Sequence, residues 1–175
     1  TKNMTKIVFN KKINCFSLSV IRRASCCLFM NNACACWIVE VGTETEADDA
    51  ILLLLGAFNP ITPYHISMIM RPIEHFNEQN ITVAKIILIP SSSHYIKTDM
   101  TYGYVRETLI NQYINVSTLH NDVKSKIYVS SYETCKSKFT CSAATVNFFT
   151  NLFPNNKVYY LIGEDTYDNI MTGNF

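Results

Sequence analysis

The sequence predicts an α/β protein: a doubly wound parallel sheet whose strands are joined by crossover helices. Three observations carry that reading. Short apolar runs such as Ile51–Leu55 and Ile86–Ile89 alternate with longer segments whose apolar residues recur at helical spacing. Each run closes on a residue that turns or stops the backbone, namely Gly56, Pro90, Ser130 or Gly163. At 175 residues, with 48% hydrophobic and 17% charged side chains, the chain can bury a sizeable core and falls outside the composition of disordered segments.

Taken in order, residues 1–48 are the least regular part. Lys2, Lys6, Lys11 and Lys12 precede a short apolar patch, then Arg22-Arg23 and a cysteine-rich stretch. The patch is interrupted by Asn14, Ser17 and Ser19 and resembles a leader only loosely, so the segment reads as a poorly ordered extension or as sequence outside the native protein. Gly42–Asp49 is an acidic linker. The regular part, residues 49–175, opens with a strand over Ala50–Phe58 and a helix over Pro63–Asn80. A strand over Thr82–Ile89 follows, stopped by Pro90, then a polar loop and a helix over Thr101–Asn115 with Tyr102, Val105, Leu109, Ile110 and Tyr113 on one side. Strands over Lys126–Ser130 and Lys157–Ile162 flank a helix over Ser137–Leu152. Right-handed crossovers put the C-terminal end of every strand on one edge, and ligands bind there where the strand order reverses.

The net charge of +1 gives no footprint for nucleic acid or an anionic membrane, and no apolar run reaches the length of a membrane span. Seven cysteines, an odd number without paired Cys-x-x-Cys spacing, argue against a zinc site and for free thiols in a reducing, intracellular compartment, cytoplasmic or nuclear. The chain does not begin with methionine and stops soon after its fourth regular strand, so it reads as an N-terminal fragment.

Chemistry concentrates at the first of those strand ends. Gly56 lets the backbone turn and approach a ligand, Pro60 and Pro63 stiffen the turn, and the following helix opens on its donor-rich N-terminus. His65 lies in the first helical turn, within reach of the same anion. The string Gly56-Ala57-Phe58-Asn59-Pro60-Ile61-Thr62-Pro63-Tyr64-His65 resembles the signature of the nucleotidyltransferase superfamily: glycine–x–phenylalanine–x–proline, His or Thr, two residues, and His. Its Phe-Asn-Pro-Ile-Thr version is similar to that of the eukaryotic nicotinamide/nicotinate mononucleotide adenylyltransferases, which have a Rossmann-like fold.

The resemblance implies further site residues. Lys97, in Tyr95-x-Lys97, matches a lysine that contacts phosphate; read without the family it is a solvated loop lysine, and His94 a loop residue. Phe139 and Ser142, at a spacing that shares one helix face, match a tryptophan and a threonine that stack on and bond the pyridine ring. A core phenylalanine and a capping serine would satisfy the same letters. Gly163 and Asp165 match a glycine that lets the backbone near the pyridine nucleotide and an aspartate on ribose or phosphates, and Asp165 also suits a helix cap. The family's second motif, Ile-Ser-Ser-Thr-x-x-Arg, is not in this sequence.

The reaction implied is adenylyl transfer from ATP to nicotinamide or nicotinate mononucleotide, giving the dinucleotide and pyrophosphate. Gly56, Ala57, Phe58, His65 and Lys97 would bind ATP and its phosphates, His65 and Lys97 would be catalytic, and Mg²⁺ would come bound with ATP. A non-catalytic remnant, with the edge of its fourth strand exposed, is the competing reading, and an adenylyl- or cytidylyltransferase for another phosphate is a third. Neither the preferred mononucleotide nor homo-oligomer formation can be read from these residues.

Overall fold

The computed structural model describes residues 21–27, 36–41, 49–94, 99–163 and 166–168. Six strands form one sheet in the order β1-β2-β6-β3-β4-β5. The ranges are β1 Ile21–Cys27, β2 Cys36–Val41, β3 Asp49–Gly56, β4 Thr82–Pro90, β5 Ile127–Val129 and β6 Lys157–Gly163. Strands β6, β3, β4 and β5 are parallel to one another, whereas β2 runs antiparallel to both β6 and β1. The helices are α1 Pro63–Glu78, α2 Gly103–Val116, a single turn α3 Asn121–Lys124, and α4 Ser142–Leu152.

Successive side chains of a strand face opposite sides, so a central strand covered on both faces must be apolar at every position. That explains the unbroken leucines of β3. Leu52 and Leu54 enter a core shared with Ile69 and Phe76 of α1 and Ile110 and Ile114 of α2. Ile51 and Leu53 enter a second core with Val146 and Phe149 of α4. Helices thus cover both faces, and the doubly wound arrangement follows.

Several boundaries differ from the sequence reading, each for a physical reason. Phe58 is not in β3: its φ of 46° places it in the left-handed region, which ends the extended run at Gly56. On α2 the buried stripe passes through Gly103, Arg106, Ile110 and Ile114, while Tyr102 and Leu109 are exposed. An apolar-periodicity argument cannot find a stripe that contains an arginine. The last helix starts at Ser142, not Ser137, with Cys141 as its N-cap. Phe139 and Ser142 therefore do not share a helix face.

The larger difference concerns the cysteine-rich segment. Residues 21–27 and 36–41 are strands of the main sheet, where a poorly ordered extension was expected. Ile38 of β2 joins the first core, and Val39 and Val41 join the second. The edge of β6, expected to be bare, is paired from Val158 to Gly163 with β2, which removes that support for a non-catalytic remnant. Among the cysteines whose side chains are described, Cys135 and Cys141 are free thiols.

Candidate functional site

Strands β3, β4 and β5 follow one another across the sheet, and the chain then returns to place β6 on the other side of β3. The order therefore reverses between β3 and β6, whose C-terminal ends are Gly56 and Gly163. Sequence reasoning put both glycines at the ligand edge, and the structure brings them to its switch point.

The loop from Gly56 to α1 is built around Phe58. Phe58 as a whole is 1% exposed, so its ring packs into the core rather than against a ligand. The left-handed residue of this turn is Phe58 rather than Gly56, and a Cβ on Gly56 would rest 3.5 Å from the Phe58 ring, an ordinary contact. The turn itself thus places no steric demand on Gly56. The Gly56 carbonyl accepts from the Ser91 amide at 2.8 Å, tying the ends of β3 and β4 together.

His65 occupies the third position of α1, and its half-buried ring stacks at a tilt on Phe58 with 4.8 Å between centroids. The Thr62 amide donates to its Nδ1 at 3.0 Å, and the Thr62 hydroxyl lies 2.8 Å from the same nitrogen. This is a capping box with histidine in the place usually taken by Glu or Gln. A nitrogen that accepts an amide proton carries none of its own, so the neutral ring holds its proton on Nε2. Burial lowers the pKa of His65, which favours the same neutral form. The site residue is a neutral Nε2–H donor with its other nitrogen anchored.

Sequence reasoning missed Arg106. It is 1% exposed, and its three hydrogen bonds all go to carbonyl oxygens at the ligand edge. Nη1 donates to Ala57 at 2.6 Å, Nη2 to Ser91 at 2.5 Å and Nε to Thr101 at 2.8 Å. One guanidinium thereby joins the β3–α1 loop to both ends of the β4–α2 loop. The Asn59 side chain adds a second tie, accepting from the Thr101 amide at 3.2 Å and donating to the Asp99 carbonyl at 3.3 Å. Burial draws the Arg106 pKa down and the Glu107 carboxylate pushes it back up. The available signal was a charged residue amid the helical repeat Tyr-x-x-Val-x-x-x-Leu-Ile.

The remaining expected residues are more scattered. Phe139 is 48% exposed in the bend before α4, and Ser142 is the first residue of that helix. Glu133, in the turn after β5, is buried and accepts from the Thr145 hydroxyl of α4, and its pKa is raised by that burial. Lys97 and Asp165 lie outside the described residues. A pocket of about 440 Å³ opens between α2 and the turn after β5, lined in part by His94, Tyr102, Tyr104, Glu107, Thr134 and Cys135. Among the described residues, none of the expected site residues lines it.

No known family model matches the chain. Over 121 residues, however, it is 23% identical to a probable nicotinate-nucleotide adenylyltransferase of Aliarcobacter butzleri (strain RM4018). The chain is similar to a nucleotide adenylyltransferase. The match takes in 69% of this chain and 60% of the relative, so the chain spans about 60% of the length of the curated protein it matches. Among the described residues, no helix is long and apolar enough to cross a membrane.

Proposed function

We propose that this chain carries the nucleotide-binding core of an adenylyltransferase of the nicotinamide/nicotinate mononucleotide type, acting in NAD biosynthesis. The observation that carries the reading is the Gly56–His65 loop: it sits at the switch point of a parallel sheet and presents a helix N-terminus with an anchored neutral imidazole. The sequence signature and the similarity to the bacterial enzyme support it.

In this reading the 5′-phosphate of the mononucleotide attacks the α-phosphorus of ATP, the bond to the β-phosphate oxygen breaks, and pyrophosphate leaves. No protein nucleophile takes part, so catalysis consists of alignment and charge stabilisation. His65 donates from Nε2 to a phosphoryl oxygen, and the backbone of Ala57 and Phe58 offers further donors. Lys97 adds a cation, Phe139 and Ser142 hold the pyridine ring, and Gly163 and Asp165 bind the ribose or phosphate side. Mg²⁺ belongs to this reading as an ion arriving on ATP. Among the described residues no group of three or more His, Cys, Asp or Glu is placed to hold a metal ion. The free thiols Cys135 and Cys141 suit a reducing compartment.

The test is dinucleotide formation from ATP and each mononucleotide, compared between the native protein and His65→Ala. Loss of one aligned donor is expected to lower turnover by roughly 10²-fold or more, with the circular dichroism spectrum retained. A variant with near-native turnover would remove His65 from this role.

A further inference from the structure

The pocket between α2 and the turn after β5 is walled by two aromatic rings and a carboxylate. Tyr102 and Tyr104, at the start of α2, are 69% and 70% exposed, and their rings lie 17° from parallel with centroids 6.0 Å apart. The face of an aromatic ring is the negative side of its quadrupole and attracts cations, and a flat cation gains stacking as well. Glu107 follows Tyr104 by three residues, on the same side of the helix, and its carboxylate accepts from the Thr134 hydroxyl of the facing turn. That bond orients the carboxylate without exhausting it, because its two oxygens offer about four acceptor sites. Neither lysine nor arginine is among the described lining residues. Lys136, next to Cys135 in the turn, sets its ammonium 3.5 Å from the centroid of the Tyr132 ring instead.

Ring faces beside a carboxylate select a flat cation that carries N–H donors in its own plane: the faces take the charge, and the carboxylate takes the donors. At about 440 Å³ the pocket has the size of a small-molecule site and exceeds what a single ring fills. A ring-alkylated guanine meets each requirement. It is bicyclic, alkylation makes it cationic, and its ring N–H and exocyclic amine lie side by side on one edge. We propose that this pocket binds a small purine nucleoside alkylated on a ring nitrogen, with Tyr102 and Tyr104 against the purine and Glu107 accepting from its N–H edge. The occupant is a free nucleoside rather than a nucleic acid, because a net charge of +1 supplies no basic track for a phosphate backbone. The inference does not need the transferase reading, and its test does not use turnover.

Cys135 lines the pocket as an exposed free thiol, and Cys141, also free, is not among the described lining residues, so one protein carries both probe and reference. Labelling of each thiol in the full chain by N-ethylmaleimide is followed by peptide mass spectrometry, with 7-methylguanosine or guanosine present. Slightly acidic buffer keeps the methylated purine cationic. 7-Methylguanosine is expected to slow labelling of Cys135 and not of Cys141. Guanosine has the same N–H edge without the charge, and equal protection should take a concentration about tenfold higher or more. Glu107→Gln keeps the side-chain size and should erase that difference, whereas Tyr104→Leu should weaken both nucleosides. Equal protection by the two nucleosides in the wild type would overturn the proposal, as would Cys135 labelling that 7-methylguanosine leaves unchanged or slows no more than that of Cys141. The wild-type comparison decides even if a variant does not fold.

Discussion

At the scale of single residues, His65 is where structure and titration meet. Its Nδ1 accepts the Thr62 amide, a bond that protonation there destroys, and burial holds its pKa below the ordinary 6.5. The unfolded chain thus takes up a proton at this position before the folded chain does. The stabilising contribution is complete above about pH 6.5 and is lost as pH falls through the lowered value. Thermal melts at pH 7.5 and pH 5 are expected to show a larger drop for the wild type than for His65→Ala, and equal drops would refute the anchoring. The sequence disclosed His65, Gly56 and Ala57 because their spacing is local. It could not disclose Arg106, whose partners are Ala57, Ser91 and Thr101 on separate loops. Nor does a left-handed Phe58 follow from its letter, since bulky residues rarely adopt that backbone.

Between elements, the start of α2 packs closely against the turn after β5. Gly103 donates its amide to the Ser93 hydroxyl at 2.8 Å, and a Cβ there would fall 2.5 Å from Cβ of Thr134. Gly103→Ala gains helix propensity worth at most about 1 kcal/mol. Overpacking against Thr134 costs about 1–3 kcal/mol, so the net effect is destabilising. Denaturant melts should show that loss, and adding Thr134→Gly should recover part of it; a Gly103→Ala protein as stable as wild type would contradict the packing. Strands β3, β4 and β6 were legible because burial on both faces leaves continuous apolar runs. The start of α4 was not, since Lys136–Cys141 carries no periodicity to separate bend from helix.

For the whole molecule, the sheet's parallel half follows from alternation of strands and helices, whereas the hairpin of β1 and β2 was hidden in a cysteine-rich stretch. The run Trp37-Ile38-Val39-Glu40-Val41 has strand composition, but its partner β6 is remote in sequence, so no turn signal announces the pairing. Trp37 also stacks on Tyr167, with 3.5 Å between ring centroids, joining the hairpin to the helical residues 166–168. Deleting residues 1–41 bares the hydrogen-bonding edge of β6 and is expected to cause self-association, read by sedimentation velocity. A truncated protein that stays at its native association state would show that this edge needs no cover. The pairing also sets an order of events during synthesis. As the nascent polypeptide leaves the ribosome, β2 emerges early while its neighbour is still untranslated, and such non-local closure is intrinsically slow. Until β6 arrives, Ile38, Val39 and Val41 of β2 have no parallel sheet to bury them.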